Sequence, residues 1–309
     1  MRKTTRFREL LERGMVTAAG CFDPFSARLA QLAGFEALHM TGFGVEATQL
    51  GAPDLGLLSM SEIAAHAARM AEATDVPIIA DIDTGFGGVL NVQRTIREME
   101  RAGVAGVHIE DQALPKHCPL VSGRSVVPRA EAVDRLKAAL DARTDPDFVI
   151  VARSDADTVS FQELVDRCNL FMEAGADLVM PITLELDGVP ISSRSPEAQM
   201  AMHRRVNAAI NGPVMGNGSG PPPGYTLADM TEAGFSLVIF AAGALSAAAN
   251  AMADYYRAIL EEGSDNGYLT AHPGPFNNPL NLLKVARLDD YVAAEARYTT
   301  SVSTGNAAE

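Results

Sequence analysis

No uninterrupted apolar run of roughly 18 residues occurs anywhere in the 309-residue chain, which excludes a membrane-spanning helix. Cysteine is scarce. The three present, Cys21, Cys118 and Cys168, are odd in number and unevenly spaced, so no disulfide framework is expected and a reducing cytoplasm is the expected setting. Basic residues are outnumbered, 25 Lys and Arg against 39 Asp and Glu, and the net charge of −14 argues against nucleic acid and anionic membranes as partners. An anionic substrate would then need a local cation. The charged N-terminal stretch has a helical pattern and lacks the apolar core of a signal peptide. Tryptophan is absent, which excludes nothing.

What is present is a regular alternation. Short runs of Val, Ile, Leu and Ala near 16–19, 37–40, 76–80, 107–109, 148–152, 178–180, 213–215 and 237–240 lack polar alternation, as strands buried on both faces of a parallel sheet do. Helical segments follow each: 26–33, 60–74, 92–102, 129–142, 161–174, 196–210, 227–233 and 245–261. Several are stopped by Ala-Gly pairs such as Ala33-Gly34 and Ala102-Gly103. Eight such units predict an α/β fold, a closed (β/α)8 barrel, rather than an open sheet. No G-x-G-x-x-G turn follows the first strand, so a dinucleotide-binding fold is weakly supported. The chain reads as one barrel domain over 1–309, with 262–309 as a helical extension. A further helix at 284–296 would have to bury its apolar face elsewhere, and a partner subunit is expected to receive it.

The stretch 79–88, IADIDTGFGG, is the centre of the functional reading. Residues i and i+2 of a strand share a face, so Asp81 and Asp83 project together. Two like charges so placed repel unless a cation lies between them or one is protonated. Carboxylates plus water are the ligands that Mg2+ and Mn2+ prefer. Asp23, Thr41, Asp81, Asp83, Glu110, Arg153 and Asn217 fall at the C-terminal ends of different strands, which in a barrel form one mouth. The alternative is that they are helix caps. Between the fourth strand and its helix, a long loop carries Lys116-His117-Cys118 and Arg124. Loops of this kind serve as lids, and its basic neighbours are expected to favour the Cys118 thiolate. Cys21 and Cys168 are expected to pack.

Six segments, HMTGFGV (39–45), GAPDLGLLS (51–59), ADIDTGFGG (80–88), GVHIEDQALPKHC (106–118), TDPDFVIVARSDA (144–156) and EAGADLVMP (173–181), resemble the isocitrate lyase/phosphoenolpyruvate mutase superfamily over nearly the whole chain. The similarity is greatest to its short lyases, such as 2-methylisocitrate lyase and 2,3-dimethylmalate lyase. It implies a Mg2+-dependent barrel, with Mn2+ as an alternative ion, and a homotetramer that exchanges C-terminal helices. The implied reaction is retro-aldol C–C cleavage of a substituted 2-hydroxydicarboxylate to a 2-keto acid. By position, Asp81 and Asp83 would hold the metal with help from Glu110. Thr41, Gly42 and Phe43 would receive a carboxylate, Arg153 would pair with one, ideally in bidentate fashion, and Asn217 would contact another. Asp54 would lie beside the metal and the substrate oxygen, and Cys118 would donate a proton to the carbanion-like fragment. His39, in the first matching segment, joins Cys118 and Asp54 as a catalytic candidate.

Four positions depart from the family pattern. Pro119-Leu120 replace Gly-His after the loop cysteine, Ile182 replaces a Glu, Ser246 stands near a missing Arg, and Phe43 replaces a small residue. They suggest a substrate less charged, bulkier or more apolar than methylisocitrate. Two other readings stay open: hydrolysis or decarboxylation of oxaloacetate-like acids or phosphonate chemistry, and a non-catalytic acid-binding relative.

Overall fold

A computed structural model describes residues 1–298 apart from 217 and 219. The chain divides into two compact units, Met1–Ala247 and a second from Ala248 onward. In the first, eight parallel strands close into a barrel: β1 (Val16–Cys21), β2 (Ala37–Met40), β3 (Ile78–Asp81), β4 (Gly106–Glu110), β5 (Val149–Ser154), β6 (Leu178–Pro181), β7 (Val214–Met215) and β8 (Phe235–Phe240). They pair in chain order, and β8 closes on β1 through Val16↔Leu237 and Ala19↔Phe240. This is the expected (β/α)8 fold.

Helix α1 (Lys3–Arg13) precedes the barrel. It buries Phe7 and Leu10 in the barrel interior with Ile79, Val149, Val151, Met180 and Ile239. Its polar side seals the N-terminal rim: Arg8 donates to the carbonyls of Asp147 and Phe148 and pairs with Asp177, and Thr4 donates to Asp145. The larger apolar cluster lies between the strands and the outer helices α2 (Pro24–Leu32), α3 (Gly42–Leu50), α4 (Met60–Ala73), α5 (Val89–Ala102), α6 (Arg129–Ala142), α7 (Phe161–Ala174), α8 (Pro196–Ala208) and α9 (Leu227–Glu232). Ser59 and Glu62 form a capping box at the start of α4, and Gly103 and Gly175 end α5 and α7 in the left-handed conformation that glycine tolerates.

Residues 42–50 form a helix, α3, that the sequence pattern did not indicate, and one local expectation is corrected. The expected single helix at 284–296 is two, Pro279–Val285 (α12) and Leu288–Ala296 (α13), separated by Arg287 at φ 67°. The second unit continues helix α10 (Gly243–Glu262) and adds α11 (Asn266–Ala271) before α12 and α13. Among its described residues only Val285 is buried, while Tyr256, Leu260, Leu283 and Tyr291 are exposed. No helix of the described residues is long and apolar enough to cross a membrane.

Candidate active site

The mouth of the barrel gathers charges that the strands deliver in register. Asp81 pairs with His108 across β3 and β4, and Glu110 with Arg153 across β4 and β5. The next residues turn sharply; Asp83 itself sits at φ 47°, a left-handed conformation that Asp tolerates better than most side chains. Its N–H donates to Asp81 Oδ1 at 3.0 Å. Asp54 arrives from the loop after α3. That loop is held by buried Glu46, whose carboxylate accepts from the N–H groups of Leu55, Leu57 and Leu58 at 2.8, 2.5 and 3.2 Å.

Lys116 joins these acids. Its ammonium is buried, hydrogen-bonds Asp54 Oδ1 and lies 2.6 Å from Asp83 Oδ1. Burial opposes the Lys116 charge, but Asp83, Glu110, Asp81 and Asp54 outweigh it and hold the group well above its ordinary value. Asp81 loses solvation too. Nearby positive charge and the Asp83 N–H more than offset that and keep it ionised. Burial, followed by the charges of Asp81 and Asp54, lifts Asp83 to about 6 against the pull of Lys116. Burial lifts Glu110 well above its usual range despite Arg153.

The acid set suits a hard divalent cation. Asp54, Asp81, Asp83 and Glu110 crowd around Lys116, and Arg153 is shared between Glu110 and Asp155, so carboxyl groups outnumber cations here. Both carboxylate oxygens of buried Glu110 lack an aligned hydrogen-bond donor, although Arg153 Nη1 lies 2.9 Å from Oε2. Among the described residues no three His, Cys, Asp or Glu side chains converge into a ready-made cage. Mg2+ often binds in this way, through one or two carboxylates plus water and substrate.

Arg153 is less free than expected. Its Nε and Nη2 donate to the two oxygens of Asp155 at 2.8 and 3.0 Å, so the guanidinium fork is already occupied and only its remaining N–H groups can meet a ligand. Thr41 and Asp23 serve as helix N-caps, of α3 and α2 respectively. Gly42 packs against Asp81; a methyl there would lie 2.7 Å from Asp81 Oδ2. Phe43 is half-buried in the first turn of α3. His39 is buried, with its Nε2 2.9 Å from His108 Nε2, and burial pulls it down to about 3. His108 in turn places Nδ1 3.6 Å from Asp81 Oδ1. Asn217 lies outside the described residues. Ile182 is buried in the barrel interior, Leu120 is exposed, and Ser246 is exposed on α10.

The expected thiolate is corrected. Cys118 is buried beside Asp54, hydrogen-bonded to its carboxylate and donating its N–H to the Asp54 carbonyl at 3.1 Å. Burial, then the charge and hydrogen bond of Asp54, push the thiol up to about 11. The basic neighbours act elsewhere: Lys116 on Asp54 and Asp83, Arg124 on Asp155 and Asp157. The group is a protonated thiol, suited to donating a proton. Beside Asp83 and Lys116 opens a cleft of about 730 Å³ with Leu55, Phe86, Leu114 and Arg94 among its walls.

Lys116, Glu46, His108, Gln112 and Asp155 were not singled out as site residues from the sequence. Lys116 and Gln112 do stand in the matching segment that carries Cys118.

The family model for phosphoenolpyruvate phosphomutase matches residues 7–260. The chain is 37% identical to 2,3-dimethylmalate lyase of Eubacterium barkeri over 307 residues, covering 94% of this chain and 98% of that one. It is 36% identical to 2-methylisocitrate lyase of Shewanella oneidensis over 269 residues, 85% of this chain and 87% of the relative. Among solved structures it resembles phosphonopyruvate hydrolase in complex with oxalate and Mg2+, with a TM-score of 0.81 and 30% identity over 96% of this chain and 99% of that one.

Proposed function

Since the chain belongs to the phosphoenolpyruvate mutase/isocitrate lyase superfamily, we propose that it is a Mg2+-dependent lyase that cleaves an alkyl-substituted malate-type acid to a 2-keto acid and a second carboxylic acid. Carbon–carbon cleavage is the reaction class of the lyases it resembles. The observation that carries the proposal is the shared carboxylate of Asp54. One protonated thiol, Cys118, and one ammonium, Lys116, meet on it, and the same ammonium meets Asp83. A proton donor therefore stands beside the acids that would hold the metal.

Asp81, Asp83 and Glu110 would hold Mg2+, directly or through water, with Mn2+ as an alternative. When bound, the ion would stabilise negative charge on the keto-acid side of the breaking bond. The first-turn N–H groups of α3 at Gly42 and Phe43 have no partner within the helix and would receive a substrate carboxylate. Arg153 would meet a carboxylate through an N–H not used by Asp155. Cys118 would pass its proton to the carbanion-like carbon of the departing acid, and its loop would exclude water meanwhile. Apolar walls beside Asp83, Ile182 in place of a Glu, and Ser246 in place of an Arg support a bulkier, less charged substrate than methylisocitrate.

The test is keto-acid release from a panel of alkylmalates and methylisocitrate, with and without EDTA. Turnover of methylisocitrate equal to or better than every alkylmalate would remove the substrate assignment. EDTA-insensitive cleavage would remove the metal. The similarity to phosphonopyruvate hydrolase keeps hydrolysis of oxaloacetate or a phosphonate as the second reading, and the same panel with those acids separates it. The helices from Ala248 onward, with their exposed Tyr256, Leu260 and Tyr291, support a homotetramer built by helix exchange. Mass measurement by light scattering, before and after truncation at Ala247, tests this. A cytoplasmic setting belongs to the same proposal and is supported by three unpaired cysteines.

A further inference from the structure

The loop that carries Cys118 is held on one side by Lys116 and the Cys118 N–H, which bind Asp54, and on the other by the side chain of Gln112. Gln112 is fully buried at the start of the loop. Its Oε1 accepts the N–H of His117 at 2.9 Å, and its Nε2 donates to the carbonyl of His117 at 3.0 Å. The same Nε2 donates to Asp155 Oδ1 at 3.2 Å. These partners fix the amide's orientation, because an oxygen must face the N–H and a nitrogen must face the carbonyl and the carboxylate. Asp155 is the carboxylate that holds the Arg153 fork, and it also accepts from Arg124 at the far end of the loop at 3.0 Å. A continuous chain of contacts therefore runs from Arg153 through Asp155 and Gln112 to the residue preceding Cys118.

We propose that Gln112 is a positioning residue that fixes the Cys118 thiol relative to Arg153, acting through the His117 backbone on one side and Asp155 on the other. It touches no reacting atom. This deepens the proposed function and rests on the assignment of Cys118 as proton donor. Both N–H groups of the amide and one lone pair of its oxygen are used within this chain, and the side chain is fully buried. An apolar side chain of similar size would fill the space and leave the two His117 backbone groups and one side of Asp155 unpaired.

The experiment measures alkylation of Cys118 by iodoacetamide at fixed pH in the full-length protein, read by peptide mass spectrometry. Cys21 and Cys168, 1% and 0% exposed, serve as internal controls. Gln112→Leu is expected to speed alkylation of Cys118 about tenfold, as loss of one or two net hydrogen bonds implies, while the controls stay unlabelled. Gln112→Glu keeps the acceptor but loses both donors, so it moves the rate in the same direction and serves if the Leu variant does not fold. Asp155→Asn also speeds alkylation, and the double variant exceeds the faster single variant by no more than about twofold, because both act on one chain. In turnover, kcat falls about tenfold with KM near the wild-type value.

A wild-type alkylation rate in Gln112→Leu overturns the proposal. So does a double variant whose effect is the product of the singles, or labelling of Cys21 and Cys168 in step with Cys118. Wild-type protein inert on every alkylmalate would instead sink the proposed function, and the alkylation comparison would still decide the role of Gln112.

Discussion

Gly42→Ala tests the acid cluster by a perturbation whose size can be worked out from the structure. The added methyl would lie 2.7 Å from Asp81 Oδ2 and 3.0 Å from Asp81 Cγ. A comfortable contact is about 3.5 Å, so something must move by roughly 0.8 Å. Asp81 cannot tilt freely, because its other oxygen accepts the Asp83 N–H at 3.0 Å. Shifting α3 instead would disturb its Thr41 cap. Overpacking costs about 1–3 kcal/mol, and alanine returns at most about 1 kcal/mol of helix preference. A net loss of about 1–2 kcal/mol and a drop of a few degrees in Tm are expected.

If Asp81 holds the metal as proposed, the larger effect of Gly42→Ala falls on metal binding. A displaced ligand carboxylate is expected to weaken Mn2+ binding about 10- to 100-fold, measured by titration calorimetry or by the fall in free-Mn2+ paramagnetic signal. Gly243→Ala is the control, since nothing lies within 4 Å of a methyl there. Mn2+ affinity of Gly42→Ala within about twofold of wild type would refute the contact between α3 and a metal-binding Asp81.

Cys118→Ala is expected to lower C–C cleavage about 10²- to 10⁴-fold while oxalate still binds, and full activity would reject the proton-donor role. The pH dependence of Cys118 alkylation in the wild type is expected to have its midpoint near 11, because burial and Asp54 favour the neutral thiol. Asp54→Asn removes the charge and weakens the acceptor, so the midpoint moves down; an unchanged or higher value contradicts this account. Lys116→Gln leaves Asp54 and Asp83 without their buried cation and costs the metal-free protein about 3–5 kcal/mol. MgCl2 should then raise its Tm by more than it raises that of wild type, as differential scanning fluorimetry would show.

The barrel was legible because its strands are largely buried on both faces and therefore read as uninterrupted apolar runs, several of them closed by a polar residue at the mouth. Helix α3 was not, since Gly42 and Gly44 in its first turn read as turn residues and their packing against Asp81 and Phe22 is a tertiary fact. The break at Arg287 carries neither glycine nor proline to mark it. Asp81 and Glu110 end their strands as the apolar runs suggested, but the strand periodicity expected to carry Asp83 does not reach it: β3 stops at Asp81 and Asp83 lies in a left-handed turn beyond it. The state of Cys118 could not be read from the sequence, because the cations beside it in sequence are spent on carboxylates remote in sequence: Lys116 on Asp54, 62 residues away, and Arg124 on Asp155 and Asp157. For the same reason Arg153 looked free for a bidentate partner when Asp155, two residues on, already holds it.

Helix α1 stoppers the end of the barrel opposite the mouth with Phe7 and Leu10, and Met1 is left exposed at its outer tip. Robustness and reactivity are thereby assigned to opposite poles of the same cylinder. An affinity handle fused ahead of Met1 would sit at the pole that performs no chemistry, whereas deleting the first turns of α1 would flood the interior from below and cost the protein its heat tolerance before any acid at the rim had moved.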